Sequence, residues 1–159
     1  MEHFRSPIPL SEVQKKVFVL NQSALVRIFI DASFADGKAG LGAVEVYPNG
    51  WLGRRWAKAC VTSSAEEAEL LAVEFGILMA REMGMPQVEI LSDSQATINA
   101  IIARSSPTVW SLVGVFSHIL EAERFFSKLC FLWVQRTSNE NADNLCVWAR
   151  NNLVPLSSL

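Results

Sequence analysis

The sequence is poor in the residues that build disulfide frameworks, zinc clusters and membrane spans. Its 159 residues include three cysteines and two histidines, and Cys60, Cys130 and Cys146 form no closely spaced pair. This spacing argues against a disulfide framework and a structural zinc site, so we expect three reduced thiols. No apolar run reaches the roughly 18 residues that a membrane span requires, so we expect no membrane partner.

An excess of basic charge is also missing. The chain carries 14 basic and 16 acidic side chains, which gives a formal net charge of −2. This balance excludes a general attraction to a polyanion, so any nucleic-acid binding must rest on a local basic patch or on bound metal. Residues 1–9 show no signal-peptide pattern, which predicts an intracellular protein of the nucleus or cytoplasm.

The composition is typical of a folded domain, since half of the residues are hydrophobic and 19% are charged. The length predicts one domain. We expect a domain over residues 24–152 and a C-terminal tail over 153–159. Residues 1–23 are predicted to form an extension with a short helix around 11–18. The sequence does not predict the oligomeric state.

Alternating apolar residues and turn signals predict strands at residues 26–30, 42–47, 51–59, 88–91 and 131–134. Helical periodicity predicts helices at residues 65–83, 95–103, 110–126 and 141–151. The first three strands read as an antiparallel meander. A right-handed crossover through the long helix then places strand 88–91 parallel to strand 26–30. The pattern therefore predicts an α/β protein with a mixed sheet and helices on both faces.

Four carboxylates occupy unusual places in this pattern. Asp31 and Asp93 each follow an apolar strand, and the carboxyl ends of neighbouring parallel strands meet at one rim of a sheet. Glu69 lies on a face of small residues in the long helix, and Asp143 lies at the start of the last helix. Acids gathered at one rim repel each other unless a cation joins them, and oxygen ligands suit Mg²⁺ or Mn²⁺.

Three of the acids also have an ordinary explanation. Glu69 is typical of acids that the helix dipole favours near a helix start. Asp93 and Asp143 are each placed where a carboxylate caps the following helix. Asp31 has no capping role that we can name. For Glu69, Asp93 and Asp143, the sequence alone does not decide between a metal site and these explanations.

Short motifs built around these acids carry a family resemblance. They are Asp31-Ala-Ser33 with Gly40-x-Gly42, Ala68-Glu69-Leu-Leu-Ala72, Ser92-Asp93-Ser-Gln95 and Asn139-x-x-Ala142-Asp143-x-Leu145. In this order they resemble the motifs of the ribonuclease H type 1 superfamily, over residues 25–151. The chain is similar to the plant reverse-transcriptase-like branch of that superfamily.

The resemblance implies a ribonuclease H-like fold, a five-stranded mixed sheet of strand order 3-2-1-4-5 with helices on both faces. It also implies an endonuclease that hydrolyses the RNA strand of RNA–DNA hybrids and leaves a 5′-phosphate and a 3′-hydroxyl. The cofactor implied is a pair of Mg²⁺ ions, for which Mn²⁺ substitutes. Two such ions activate the attacking water and stabilise the leaving oxygen.

The resemblance assigns a role to each motif residue. Asp31 matches the acid that bridges both ions, and Asp143 matches a ligand of the ion that activates water. Glu69 and Asp93 match ligands of the ion beside the leaving oxygen. By the same match, Ser33, Gln95 and Arg136 are expected to bind the substrate. Asn139 is expected to cap the last helix.

The chain also departs from the family pattern. Many active members carry a histidine before the last helix, where this chain has Arg136. A pair of substrate-binding asparagines is replaced by Ala65 and Glu66, which predicts weak hybrid binding. Four basic residues are candidates for contacts with a nucleic-acid backbone, although we favour the interpretation that each is a solvated side chain on a strand or turn: Lys38, Arg54, Arg55 and Lys58.

Two other functions stay open. The first is a ribonuclease H-like module with little or no turnover that binds a protein partner through exposed aromatic side chains. Its candidate rings are Trp51, Trp56, Trp110 and Trp148. The second is a noncatalytic nucleic-acid-binding domain, which the negative net charge disfavours.

Overall fold

The computed structural model describes residues 25–159, so the predicted extension over residues 1–23 and its short helix lie outside the described residues. The strands are β1 (Val26–Ala35), β2 (Lys38–Val46), β3 (Leu52–Val61), β4 (Gln87–Ser92), β5 (Lys128–Trp133) and β6 (Ser157–Ser158). The α-helices are α1 (Ala65–Glu82), α2 (Gln95–Ile102), α3 (Trp110–Glu121) and α4 (Glu140–Asn152). Two 3₁₀ turns cover Ala122–Phe125 and Arg136–Ser138.

All described strands belong to one mixed sheet of order β5-β4-β1-β2-β3-β6. β1, β2 and β3 pair antiparallel in sequence, whereas β4 lies parallel to both β1 and β5. The predicted order 3-2-1-4-5 is therefore confirmed. The predicted strand number is wrong by one, because Ser157 and Ser158 pair with β3. A strand of two residues carries no alternation that a sequence pattern can detect.

β1 is longer than the sequence predicts. Its pairing with β4 stops at Phe29, opposite Leu91. Its pairing with β2 continues to Ala35, opposite Lys38. The predicted strand end at residue 30 is therefore wrong, because the ladder to β2 extends the strand past Asp31. Asp31 lies inside β1, just beyond the point where β4 stops accompanying it.

Helices cover both faces of the sheet, as predicted. α1, α2 and α3 share one apolar core with β1 and β4, which includes Ile28, Ile90 and Phe116. α4 packs on the opposite face against β1, β2 and β3, with Leu145 buried in a second core. Among the helices of residues 25–159, none has both the length and the apolar character of a membrane span.

α1 begins at a capped turn and lies close to the sheet. The hydroxyl oxygen of Ser64 accepts a hydrogen bond of 3.1 Å from the backbone N–H of Glu67. The predicted small face is buried and consists of Ala72, Val73, Gly76 and Ala80. A Cβ at Gly76 would lie 2.7 Å from a methyl group of Ile30. The close approach of this face carries Glu69 to the edge of β1.

The Gly40-x-Gly42 pair of β2 lets α4 lie against the sheet. A Cβ at Gly40 would overlap the carbonyl oxygen of Cys146 and lie 2.6 Å from the backbone nitrogen of Arg150. A Cβ at Gly42 would lie 2.9 Å from the carbonyl oxygen of Ala142. The two glycines therefore set the distance between α4 and β2, which also sets the position of Asp143.

Candidate active site

The four acids of the sequence motifs meet around Asp31. Carboxylate oxygens of Asp31, Glu69 and Asp93 all lie within 4.8 Å of one another. A second group of donor atoms, from Asp31, Asp143 and Cys146, lies within the same distance. Because Asp31 belongs to both groups, four acids that are far apart in the chain form one cluster.

Strand register brings Asp31 and Asp93 together. Parallel pairing of β1 with β4 ends at Phe29 and Leu91, an offset of 62 positions in the chain. The same offset places Asp31 opposite Asp93, two residues past the last pair. Asp31 is only 4% exposed and accepts a hydrogen bond of 2.9 Å from the backbone N–H of Ala32. It therefore forms the buried floor of the cluster.

The acids on and before the helices do not serve as caps. The N-cap of α2 is Ser94, and Asp93 lies one residue before it. Asp143 lies in the first turn of α4 and not at its N-cap, which is Asn139. The capping explanation for Asp93 and Asp143 is therefore not what the structure shows. Both side chains face Asp31 instead.

Asn139 has a different role from the one predicted. It occupies the N-cap position of α4, but its side chain makes no capping hydrogen bond. Its Nδ2 instead donates a hydrogen bond of 3.0 Å to the carbonyl oxygen of Ile30, and the residue is buried. The predicted helix cap is therefore wrong. Asn139 fastens the start of α4 to β1, beside Asp31.

The cluster is short of positive charge. Burial, followed by the negative charges of Glu69 and Asp93, raises the pKa of Asp31 to about 8. Burial, followed by the charge of Asp93, raises the pKa of Glu69 to about 7, while Arg136 opposes this shift. Glu69 Oε2 is buried and has no hydrogen-bond partner in the described chain. These acids are therefore held in a place that disfavours their ionised forms.

These observations fit divalent metal ions. Clustered carboxylate oxygens are the donors that Mg²⁺ and Mn²⁺ take in proteins. A dication would give Glu69 Oε2 a partner and would favour the ionised form of each acid. Asp31, Glu69 and Asp93 could hold one ion, and Asp31 with Asp143 could hold another.

Sequence reasoning missed two residues that touch the cluster. Cys146 is buried, and its thiol donates a hydrogen bond of 3.1 Å to the backbone carbonyl of Asp143. Burial, followed by the negative charge of Asp31, raises the pKa of this thiol. Trp133 Nε1 donates a hydrogen bond of 3.2 Å to the carbonyl oxygen of Asp93. The three-residue spacing of Asp143 and Cys146 would have revealed the thiol, since such residues share a helix face.

The residues expected to bind substrate surround the cluster. Ser33 is half-buried and lies two residues beyond Asp31, on the same face of β1. Gln95 is exposed as the first residue of α2. Arg136 is exposed, with its Nε 3.9 Å from Asp93 Oδ2. The structure therefore puts all three near the rim, and their contacts with a substrate stay a prediction.

The basic side chains on β2 and β3 divide into two pairs. Lys38 and Lys58 are exposed. Arg54 donates hydrogen bonds through Nε and Nη2 to the fully buried carboxylate of Glu45, at 2.8 and 3.0 Å. Arg55 is buried. The two lysines are therefore the most exposed members of this set, whereas the partly exposed Arg54 is held by Glu45.

A mixed sheet in this order, covered by helices on both faces and carrying acids where β1 and β4 part, defines a protein of the ribonuclease H superfamily. The family model described as reverse transcriptase-like matches residues 29–149. The chain belongs to this family. The plant branch within it stays a prediction. No curated protein sequence matches the chain.

Solved structures show the same fold. Ribonuclease H1 from the archaeon Halobacterium salinarum has a TM-score of 0.76 at 21% identity, covering 81% of this chain and 99% of that one. The N-terminal RNase H domain of a Mycobacterium tuberculosis protein has a TM-score of 0.74 at 22% identity, covering 81% and 95%. LC11-RNase H1, isolated from compost and solved in complex with an RNA/DNA hybrid, has a TM-score of 0.73 at 19% identity, covering 80% and 97%.

Proposed function

We propose that the chain is a metal-dependent endonuclease that hydrolyses the RNA strand of RNA–DNA hybrids. The convergence of Asp31, Glu69, Asp93 and Asp143 is the observation that supports this proposal most strongly. A similar fold has been solved with an RNA/DNA hybrid bound. An intracellular site of action, in the nucleus or cytoplasm, is part of the proposal.

The reaction proposed is the transfer of a phosphodiester to water. The oxygen of water bonds to phosphorus, the bond from phosphorus to the 3′ oxygen breaks, and that oxygen receives a proton. The products carry a 5′-phosphate and a 3′-hydroxyl. Bound Mg²⁺ or Mn²⁺ would lower the pKa of the attacking water and would stabilise the negative charge that develops on the leaving oxygen.

The side chains have separate duties in this reaction. Asp31 contributes to both ligand groups, so its replacement affects the whole centre. Glu69 and Asp93 complete one group, and Asp143 belongs to the other. Arg136 places an exposed positive charge beside Asp93, where a phosphate would approach the acidic cluster.

Hybrid binding by residues 25–159 is expected to be weak and sensitive to salt. The whole chain has a net charge of −2, and Glu66 is exposed at the start of α1, close in sequence to Glu69. Lys38 and Lys58 offer exposed positive charge on β2 and β3. Few phosphate contacts mean low affinity, since each contact adds to both binding and its salt dependence.

The experiment that tests the proposal is a gel assay of labelled RNA–DNA, RNA–RNA and DNA–DNA duplexes with Mg²⁺ or Mn²⁺. We expect cleavage of the RNA strand in the hybrid alone, with no cleavage in a chelator. Cleavage of all three duplexes, or of none with either metal, would contradict the proposal.

A matched pair of substitutions tests whether the activity depends on this site. Asp31→Asn removes the shared ligand and is expected to abolish cleavage. Asp36→Asn makes the same chemical change at an exposed residue of the β1–β2 turn, where its positive φ of 52° suits asparagine. We expect this variant to cleave at the wild-type rate. Equal rates for the two variants would contradict the assignment of the site.

The interaction-module alternative is supported by one ring. Trp110 is 88% exposed beside the exposed Val109 at the start of α3. It lines a groove of about 560 Å³ with Glu74 and His118. Trp56 is buried, so the four rings do not form one exposed surface. If a Trp110→Ala variant keeps full hybrid cleavage, the nuclease activity does not depend on this surface.

A further inference from the structure

Cys146 gives one side of the acidic cluster a donor of a different kind. Its sulfur and the carboxylate oxygens of Asp31 and Asp143 all lie within 4.8 Å of one another. Two hard oxygen donors and one soft sulfur donor are a set that suits Zn²⁺ or Cd²⁺ better than Mg²⁺.

The fold aims this sulfur at the acids. Cys146 follows Asp143 by three residues on α4, so the two side chains share a helix face. The thiol donates a hydrogen bond of 3.1 Å back to the carbonyl of Asp143, which directs it toward the first turn of the helix. The backbone of Cys146 lies against Gly40 of β2, so the residue is held in place.

Two features of the acids also indicate a cation at this place. Glu69 Oε2 is buried with no hydrogen-bond partner among the described residues. Asp31 is 4% exposed, and its carboxylate accepts a hydrogen bond from the backbone N–H of Ala32. Its other close neighbours in the ligand groups are Glu69, Asp93, Asp143 and Cys146. A buried carboxylate surrounded by acids and a thiol is costly without a positive charge.

We propose that Cys146 is a third protein ligand beside Asp31 and Asp143, and that it makes this side of the centre selective for thiophilic dications. Zn²⁺ or Cd²⁺ would bind there more tightly than Mg²⁺, and the thiol proton would pass to solvent as the metal–sulfur bond forms. The inference rests on the proposed metal centre and not on hybrid cleavage. It predicts that Zn²⁺ inhibits the Mg²⁺-supported reaction.

The test is a Cd²⁺ titration of the full chain, followed by ultraviolet absorbance. Bonding between cadmium and a thiolate produces a charge-transfer band that carboxylates do not give. The control is a Cys60→Ser, Cys130→Ser double variant, in which Cys146 is the remaining thiol. We expect this variant to keep the band and to saturate at one equivalent, and Cys146→Ala made in the same background to lose it.

Two further variants show whether the thiol acts together with the acids. In the double-variant background, Asp31→Asn and Asp143→Asn each keep Cys146. Each is expected to weaken Cd²⁺ binding by roughly tenfold or more, because a ligand is lost. If Cys146→Ala does not fold, these variants still show whether Cys146 binds Cd²⁺ together with Asp31 and Asp143.

Three results would overturn the inference. They are a band that persists in Cys146→Ala, a band missing from the double variant, and Cd²⁺ affinity that neither aspartate substitution changes. Failure of the nuclease proposal gives a different pattern, in which the band and its dependence on the acids remain while no hybrid is cleaved.

Discussion

At the scale of the residue, Asp31 combines burial with negative charge. It is 4% exposed and lies within 4.8 Å of donor atoms from three other acids. A carboxylate with no cation in such a place tends to bind a proton, and burial, followed by the charges of Glu69 and Asp93, raises the pKa of Asp31 to about 8. Asp31 therefore destabilises the metal-free fold and stabilises a fold that holds cations.

The first prediction concerns the stability of Asp31→Asn. Above pH 8 without metal, this variant should be more stable than the wild type by about 1 to 3 kcal/mol, because one of four crowded charges is removed. Thermal unfolding in a chelator measures the difference. Asp36→Asn, the control, should change stability by less than about 0.5 kcal/mol. A fall in the melting temperature of Asp31→Asn would contradict the prediction.

The second prediction concerns Asn139. Asn139→Ala removes the hydrogen bond to the carbonyl of Ile30 and should lower the free energy of unfolding by about 1 to 3 kcal/mol. Hybrid cleavage should fall as well, since this bond positions the start of α4 and hence Asp143. Asn141→Ala, at an exposed position two residues further on, is the control and should affect neither. Equal effects of the two substitutions would show that the bond has no such role.

The sequence predicted the acids of the site better than their supporting contacts. Asp31 could be found because it follows an apolar run and has no local role as a cap. The hydrogen bond from Asn139 to Ile30 joins residues 109 positions apart, so no local pattern reports it. Cys146 was not found because a thiol in a helix is usually a small buried side chain.

At the scale of the element, the distance between α4 and β2 determines whether Asp143 reaches Asp31. This distance depends on Gly40 and Gly42, whose missing side chains leave room for the backbone of α4. The Gly-x-Gly spacing is therefore part of the site, although neither glycine carries a functional group.

The third prediction concerns Gly40→Ala. The new Cβ would overlap the carbonyl oxygen of Cys146, so the variant should lose about 1 to 3 kcal/mol of stability and most of its hybrid cleavage. Gly114→Ala in α3 is the control, since a Cβ there meets no atom within 4 Å. That variant should gain about 0.5 to 1 kcal/mol through helix propensity. Equal stability of Gly40→Ala and the wild type would contradict the packing described.

Element type and order could be predicted from the sequence, whereas several boundaries could not. β5 begins at Lys128 and not at residue 131, because pairing with β4 extends it. The helix predicted over 110–126 ends as α3 at Glu121 and continues as a 3₁₀ turn. In both cases contacts with neighbouring elements determine the boundary, and apolar periodicity does not report such contacts.

At the scale of the whole molecule, the acidic cluster connects stability to pH and to metal. Asp31 and Glu69 have folded pKa values of about 8 and about 7, above the ordinary values of 3.8 and 4.5. At pH values between the ordinary and the folded pKa values, the folded chain binds more protons than the unfolded chain. Its free energy of unfolding must therefore fall as the pH rises through this range.

The fourth prediction is that the melting temperature in a chelator falls between about pH 5 and pH 8, by an amount equivalent to about 2 to 4 kcal/mol. Asp31→Asn should reduce this fall. Saturating Mg²⁺ or Mn²⁺ should raise the melting temperature most at the upper end of the range, since the ions bind the ionised acids. A melting temperature that rises with pH, or that neither metal changes, would contradict the prediction.

If the four acids together hold divalent metal, anomalous diffraction from crystals soaked in Mn²⁺ will show it. We expect one manganese peak among Asp31, Glu69 and Asp93, a second between Asp31 and Asp143, and the loss of both in Asp31→Asn. Manganese bound elsewhere with the cluster empty, or peaks at the cluster that survive in Asp31→Asn, would contradict this expectation.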